Sequence, residues 1–453
     1  DGRAMSKILQ GVTTEVVGQD GGSVAPLNSA MYEENRAASQ KRYGLAADWR
    51  DFSGYFENIR RQGVSVNLMS MVGTGTLREH VIGFDNRPAT AAEIAQMQSL
   101  IRQSLEQGAR HLSSGLEYTP GSFASTDELA RLASVLGPGG IYSSHIRNED
   151  DHLETAIAEA ISIAKNGNCG VNISHLKAQG QRNWHKLDSV FAMLEGARKD
   201  GLRATCDRYP YVAYSTGLSN LFPIWAKEGG TEKFVERLQA QENGERIRKY
   251  VLDKVSALGS WDSVLISSLS GDENQKYVGR RLGELALEVG REPYNLLLEI
   301  VLSQNGGGGM VGFGMSEENT KRILAHPYAV VASDGSARTV DGILGGGSPH
   351  PRNYGTFPRV LGHYVREQKT LSLQEAIRKM TALPASIVGI SHRGTLAEGF
   401  RADVTVFDPD TVIDRATFAE PKQYPQSIEH VIVNGKMVVQ DGEHTGAKPG
   451  MVI

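Results

Sequence analysis

The sequence predicts an α/β protein built on a (β/α)8 TIM-like barrel, with a small β-sandwich domain beside it. Short strand-like segments alternate with helical patterns along most of the chain, which is typical of βαβ units in a parallel sheet. Nearly every predicted strand ends in a side chain that can bind a metal or move a proton, and barrels form their sites at those strand ends. From residue 391 onwards the pattern becomes all-β.

Seven segments have the length and apolar character of barrel strands. They cover residues 12–17, 64–71, 109–114, 141–146, 171–176, 204–209 and 329–334. Apolar residues recur near every 3.6 positions between them, which predicts intervening helices. Those helices cover residues 91–107, 126–136, 153–165 and 187–199. Seven strands are one short of closure, so we expect the first barrel strand to precede Asp1. An open nucleotide-binding sheet is disfavoured because no GxGxxG motif follows the first segment.

Changes of pattern along the chain predict four divisions. These are the barrel with its strands two to seven at residues 1–217, an inserted lid or subdomain at 218–318, the last barrel strand and helices at 319–390, and the C-terminal part of the β-sandwich at 391–453. The insertion is predicted from its charge-rich helices, which interrupt the strand–helix alternation. In the last division, Asn434 and Gly435 predict the turn of a β-hairpin.

The composition excludes several classes of protein. The 453 residues include 48 Lys and Arg against 52 Asp and Glu, a net charge of −4, so neither nucleic acid nor a membrane surface is an expected partner. The only cysteines, Cys169 and Cys206, provide neither a disulfide framework nor a cysteine-based zinc site. No signal-peptide pattern follows Asp1. We expect a cytoplasmic protein, with removal of a signal peptide as the alternative, and a small-molecule substrate.

Two histidines occupy nearly identical settings 30 positions apart. His145 lies in Ser-His-Ile-Arg and His175 in Ser-His-Leu-Lys, each at the end of a predicted strand. Because one helix separates these strands, the two rings should lie side by side at the barrel mouth. Imidazole nitrogens are common ligands of divalent metals. The pair predicts a metal site, and the alternative is that each ring is a hydrogen-bonded histidine of the core.

Two aspartates follow strands at the same end of the predicted barrel. Asp334 ends the last strand, where its carboxylate could hold a metal and also accept a proton from an attacking water. The alternative for Asp334 is a helix cap. Asp20 follows the first segment, where it is either a metal ligand or a turn residue, since Asp-Gly is a common turn pair.

Two cations near these strand ends indicate an acidic substrate. Arg352 follows Asp334 in a loop over the same face, and Lys177 follows His175. Arginine binds carboxylates through two parallel hydrogen bonds, so a carboxylate-bearing substrate is favoured. Each cation taken alone is more often a surface charge.

Together these motifs resemble the N-acyl-D-amino-acid deacylases (D-aminoacylases) of the amidohydrolase superfamily over essentially the full chain. The matching segments are GVTTEVVG at 11–18, SSGLEYTPG at 113–121, SHIRNE at 144–149, ISHLK at 173–177, YPY at 209–211, SDG at 333–335 and HPR at 350–352. The resemblance implies a zinc-dependent barrel, a β-sandwich built from both chain ends, and hydrolysis of N-acyl-D-amino acids to a D-amino acid and a carboxylate.

The resemblance also implies roles for individual residues. Zinc, as one or two ions, would be held by Asp20, His145, His175 and Asp334, with Asp334 as the catalytic acid–base. The residues that the resemblance implies for substrate binding are Lys177, Tyr209, Ser215, Arg352 and Tyr118. Many family members have cysteine where this chain has Asp20, and zinc accepts both ligands.

The family's His-x-His pair on the first barrel strand has no counterpart in this sequence. We therefore expect the 453-residue chain alone to be poorly stable and inactive, and an upstream His-x-His segment to restore both properties. Two alternatives stay open. One is a cyclic-amide hydrolase related to hydantoinases or dihydroorotases, and the other is a catalytically inactive fragment or homologue that lacks the first-strand histidines.

Overall fold

The computed structural model of the protein describes residues 2–453. In chain order the strands are β1 Thr14–Val17, β2 in two pieces Asn67–Ser70 and Val72–Gly73, β3 Leu112–Gly115, β4 Ile141–His145, β5 Gly170–Ile173, β6 Ala204–Arg208, β7 Ala213–Gly217, β8 Val264–Ser268, β9 Gly309–Phe313, β10 Ala329–Val331, β11 Val404–Phe407, β12 Ile428–Val433, β13 Lys436–Gln440 and β14 Glu443–His444. The α-helices are α1 Met5–Ile8, α2 Ser29–Tyr43, α3 Phe52–Gln62, α4 Thr74–Val81, α5 Ala91–Glu106, α6 Thr126–Ala133, α7 Leu153–Asn166, α8 Leu187–Lys199, α9 Thr231–Gln239, α10 Gln241–Leu258, α11 Leu282–Glu288, α12 Pro293–Ser303, α13 Glu317–Ala325, α14 Arg352–Arg359, α15 Leu373–Met380 and α16 Ala382–Ile387.

Seven parallel strands form the barrel wall, and they follow one another around it in chain order. β1 pairs with β2, pairing continues in order to β6, and β10 joins the free side of β6. All seven strands predicted from the alternation are present, so the predicted barrel class is confirmed. Within residues 2–453, β1 and β10 are not hydrogen-bonded to each other. A cleft of about 1400 Å³ opens between them and is lined by both strands.

The helices around the wall begin where capping residues satisfy their first N–H groups. Thr90 Oγ1 accepts a hydrogen bond from the backbone N–H of Glu93, whose carboxylate accepts one from the backbone N–H of Thr90, and this capping box starts α5. Ser125 caps α6 in the same way through the N–H of Glu128. α5, α6, α7 and α8 bury their apolar faces against the strands in one continuous core. These are the four helices that the 3.6-residue periodicity predicts.

Two further units lie outside the barrel wall. β7, β9 and β8 form an antiparallel sheet that shares a separate apolar core with α9–α12. β11–β14 form a four-stranded antiparallel sheet whose core includes residues of α1. The predicted hairpin is present: Asn434 and Gly435 join β12 to β13 with φ of 48° and 78°, as a two-residue turn of this kind requires.

Among residues 2–453, no helix combines the length and the apolar character needed to span a bilayer.

A buried ion pair between α4 and α6 provides a test of the barrel's stability. Arg78 donates from Nη1 to both carboxylate oxygens of Glu128 at 2.7 Å, and the two side chains are 0% and 2% exposed. Glu128→Ala leaves the guanidinium buried without a counter-charge, so we expect a loss of roughly 3–5 kcal/mol in the free energy of unfolding by urea.

The matched control for this variant is the exposed pair formed by Lys249 and Asp253, with side chains 77% and 67% exposed. We expect Asp253→Ala to change the free energy of unfolding by less than about 0.5 kcal/mol. Equal effects of the two variants on the free energy of unfolding would contradict the conclusion that the ion pair of Arg78 and Glu128 stabilises the barrel.

Candidate active site

Two imidazole rings meet at the rim formed by the carboxyl ends of the barrel strands. His145 is the last residue of β4, and His175 follows β5 in a left-handed backbone conformation with φ of 38°. Nδ1 of His145 lies 2.9 Å from Nε2 of His175, and the ring centroids are 4.7 Å apart. The structure therefore brings the two predicted histidines together, with one nitrogen of each ring directed at the other.

Asp20 joins the histidines from the loop after β1. Its Oδ2 lies 3.4 Å from Nε2 of His175, and its Oδ1 is buried without a hydrogen-bond partner in the described chain. The ligand atoms of Asp20, His145 and His175 all lie within 4.8 Å of one another. Two imidazole nitrogens and a carboxylate oxygen are a donor set that suits zinc and similar divalent metals, so these residues fit a metal ion.

The loop that carries Asp20 is fixed by β3, which sequence reasoning did not assign to the site. Ser113 Oγ donates to the carbonyl of Gly18 at 2.6 Å and accepts from the N–H of Gly21 at 3.1 Å. A Cβ at Gly115 would lie 2.1 Å from the carbonyl oxygen of Asp20, so the close approach of the loop requires glycine there. Ser113 and Gly115 both lie in the motif SSGLEYTPG at 113–121, which is the sequence feature that could have placed them at the site.

Each histidine has a carboxylate near its other ring nitrogen. Glu149 Oε1 lies 3.2 Å from Nδ1 of His175, and Glu117 Oε2 lies 3.7 Å from Nε2 of His145. A carboxylate in this position can fix the ring orientation and the tautomer of a histidine that binds metal. Neither glutamate was predicted from the sequence, although both lie inside the motifs that carry the resemblance.

Lys177 completes this buried cluster. Its Nζ donates to Glu149 and lies 2.8 Å from Nδ1 of His175, while Gln179 donates to the second oxygen of Glu149. Burial alone would raise the pKa of Glu149, but Lys177 and the histidines hold it well below its usual value. Burial alone would lower the pKa of Lys177, but Glu149 keeps it above its usual value. The two side chains therefore form an ion pair.

The carboxylates around His175 favour positive charge at this point. Burial would raise the pKa of Asp20, but His175, His145 and Lys177 lower it to about 2. Burial and Lys177 lower the pKa of His175, yet Asp20 and Glu149 outweigh them and raise it well above its usual value. Surroundings that stabilise a charged ring also stabilise a divalent cation bound at the same nitrogen.

Asp334 and Arg352 form a pair beside this cluster. Asp334 follows β10 with φ of 45°, and its Oδ2 accepts a hydrogen bond from Nη1 of Arg352 at 2.6 Å. Asp334 lines the same cleft as Asp20 and His175, but it is not in the group of closely spaced ligand atoms. Its role as a metal ligand stays a prediction, whereas its position at the rim agrees with that expected from the sequence.

The remaining predicted residues surround Arg352 and His145. Tyr209 lies under the Arg352 guanidinium, 4.8 Å from it, and its buried hydroxyl has no partner in residues 2–453. The main-chain oxygen of Ser215 accepts from Arg352 at 3.5 Å. The Tyr118 ring lies 4.7 Å from that of His145. The arrangement therefore offers a metal site, a carboxylate that can accept protons and a free hydroxyl at one rim.

Comparisons with known proteins agree with this geometry. The sequence profile of the amidohydrolase family matches residues 158–439. A D-aminoacylase from Alcaligenes xylosoxydans xylosoxydans is 34% identical over 452 residues, which cover 99% of this chain and 82% of that protein.

Two solved structures share the fold over most of their length. The N-acyl-D-glutamate deacylase of Bordetella bronchiseptica, solved with zinc and a phosphonate mimic of the tetrahedral intermediate, is 32% identical with a TM-score of 0.79, covering 100% of this chain and 84% of that one. A D-aminoacylase structure is 34% identical with a TM-score of 0.80, covering 99% and 84%. The predicted resemblance is confirmed, and the chain belongs to the N-acyl-D-amino-acid deacylase family of the amidohydrolases.

Proposed function

We propose that this protein is a zinc-dependent deacylase that hydrolyses the amide bond of N-acyl-D-amino acids, giving a D-amino acid and a carboxylate. The observation that carries the proposal is the convergence of Asp20, His145 and His175 beside the pair of Asp334 and Arg352. This arrangement occurs in a chain that is 34% identical to a D-aminoacylase.

Asp20, His145 and His175 are the residues that would hold zinc, as one or two ions with Asp334. Zinc bound there supplies a Lewis acid that polarises the scissile carbonyl and makes water easier to deprotonate. Glu149 and Glu117 would orient the two rings through the nitrogens that face away from the ion.

Asp334 is assigned to the proton transfers. Its carboxylate lies at the rim and can accept the proton that the attacking water loses, then donate it to the departing amide nitrogen. Tyr209 has a buried hydroxyl without a hydrogen-bond partner in the described residues, so it can donate to the oxygen on which negative charge develops. A buried hydroxyl without a hydrogen-bond partner is unfavourable in free energy, and the substrate oxygen would supply that partner to Tyr209.

Arg352 and Lys177 are assigned to recognition of the substrate, with Ser215 and Tyr118 at the same rim. Arg352 is buried and already pairs with a carboxylate, that of Asp334, at 2.6 Å. The free carboxylate of an N-acyl-amino acid has the same chemistry and is a suitable second partner for the guanidinium. A cyclic amide without a free carboxylate would offer Arg352 no second partner of this kind, which disfavours the hydantoinase-like alternative.

A cytoplasmic location and the division of the chain at residues 217, 318 and 390 stay predictions from the sequence.

The metal assignment predicts a large loss of zinc affinity when a ligand is removed. His175→Ala deletes one of the two imidazole donors, so we expect zinc affinity, measured by competition with a chromogenic chelator, to fall at least ~10²-fold. Glu149→Gln keeps the proposed zinc ligands but replaces the carboxylate beside Nδ1 of His175, so zinc affinity is expected to fall about 10–100-fold. The control is His152→Ala at an exposed position outside the cluster. Parental affinity in His175→Ala would refute the site.

The role of Asp334 is tested by Asp334→Asn in the zinc-loaded protein. Asn keeps the shape of the side chain but cannot accept a proton, so we expect kcat for an N-acetyl-D-amino acid to fall at least ~10²-fold with folding intact. Asp51 caps α3 by accepting from Gly54, and Asp51→Asn is the matched control for a purely structural aspartate. Similar kcat values for the two variants would show that Asp334 has a structural role, as in the helix-cap alternative, and does not transfer protons.

The clamp on the substrate carboxylate predicts a preference for free acids of D configuration. Arg352→Ala is expected to reduce kcat/KM for the N-acetyl-D-amino acid, with a loss of transition-state stabilisation of roughly 2–5 kcal/mol, because it deletes a buried charge partner. The corresponding D-amide and the L-acid serve as controls and should be poor substrates of the unmutated enzyme. Equal turnover of acid and amide by the unmutated enzyme would argue against the clamp.

A further inference from the structure

A buried lysine near the start of the chain contacts both neighbours of Asp334. Lys7 lies in α1 and is 1% exposed. Its Nζ donates to the hydroxyl of Ser333 at 2.8 Å and to the carbonyl oxygen of Gly335. These two residues immediately precede and follow Asp334 but lie more than 300 positions from Lys7 in the chain. The ammonium group therefore holds the backbone on both sides of the aspartate.

These two hydrogen bonds and one ion pair give the Lys7 ammonium three acceptors, one for each of its N–H donors. A lysine has three N–H donors, and Glu15 Oε1, on β1, lies 3.5 Å from Nζ as the third acceptor. A buried ammonium is tolerated only with such compensation. Because all three acceptors belong to the walls of the cleft, Lys7 connects β1, α1 and the loop after β10.

Asp334 needs support of this kind. Its φ of 45° lies in the left-handed region, which a residue other than glycine occupies at a cost and keeps only when its surroundings fix it. The Asp334 carboxylate has one hydrogen-bond partner in the described residues, Arg352. Arg352 is also the proposed partner of the substrate, so contacts other than this pair must keep the aspartate in place when substrate binds.

Ser6 of α1 and Gln10, which lies just beyond its end, contact the same loops. Ser6 accepts through Oγ from the N–H of Arg338 at 2.9 Å, beyond Asp334, and Gln10 donates to the carbonyl of Asn353 at 2.9 Å, next to Arg352. The opposite face of α1 places Ile8 in the core shared with β12 and β13. α1 thus has one apolar face on the small β-sheet and one polar face on the catalytic loops.

We infer that Lys7 is a positioning residue for catalysis, which fixes the backbone of residues 333–335 so that the Asp334 carboxylate stays aligned for proton transfer. The inference rests on the proposed function of Asp334. A displacement of about 1 Å in a catalytic group can lower a rate about 10²-fold. The effect of Lys7 is therefore expected in kcat, since substrate binding is assigned to other side chains.

The test compares Lys7→Met with Lys7→Arg in the full chain loaded with zinc. With an N-acetyl-D-amino acid, we expect Lys7→Met to lower kcat about 10²-fold while KM changes less than about 3-fold. Lys7→Arg keeps a charged hydrogen-bond donor, so its kcat should be at least about 10-fold higher than that of Lys7→Met. Zinc affinity should be unchanged in both. A kcat in Lys7→Met within about 3-fold of the parent would overturn the inference.

Lys379→Met is the matched structural control. Lys379 is also a fully buried lysine, and its Nζ donates to the carbonyl oxygens of His326 and Ala329 at the opposite end of β10. We expect Lys379→Met to lower the free energy of unfolding but to leave kcat per folded molecule unchanged. If Lys7→Met fails to fold, Ser333→Ala removes one acceptor of the ammonium and should lower kcat about 10-fold; an unchanged kcat there would overturn the inference.

A double variant separates failure of this inference from failure of the proposed function. If Lys7 acts through Asp334, adding Lys7→Met to Asp334→Asn should cause no further loss of kcat. Independent, multiplicative losses would contradict the inference but leave the role of Asp334 intact. Absence of deacylase activity in the unmutated protein that also carries the upstream His-x-His segment would instead refute the proposed function.

Discussion

The parallel pairing of β4 with β5 is the constraint on which the site depends. Ser144 lies opposite Ile173 in that register, and each histidine comes within two residues of its strand's end. Adjacent strands are about 4.8 Å apart, close to the 4.7 Å between the two ring centroids. The backbone ladder therefore sets the distance between the rings, and a slip of one residue would turn one ring to the other side of the sheet.

The cluster around these rings keeps charged groups buried by alternating their signs. Asp20, His175, Glu149 and Lys177 follow one another in contact, from the loop after β1 to the loop after β5. Asp207 supports the same loop from below by accepting the N–H of His175 at 2.7 Å. Because each charge is the counter-charge of its neighbour, removing one leaves another buried and unpaired.

The sequence was sufficient to predict the features that depend on local pattern. The alternation predicted the barrel strands, the repeated Ser-His setting predicted that the two histidines lie together, and Asp334 followed from its place after the last strand. Glu149, Glu117 and Lys7 could not be predicted as members of the site. The site residues that they contact, His175, His145 and Ser333, are distant from them in the chain, so only the folded backbone shows which groups they face.

The pairing of Asp334 with Arg352 limits how this enzyme can be altered. The guanidinium assigned to substrate recognition and the carboxylate assigned to proton transfer are 2.6 Å apart, so each is the nearest charged neighbour of the other. A change at position 352 made to accept a different substrate head group would also change the electrostatic surroundings of the base. Selection for new acyl or side-chain preferences can avoid this coupling at positions such as Thr216, which contacts Tyr118 away from Asp334. A change of specificity in this scaffold is thus less coupled to the base at Thr216 than at Arg352.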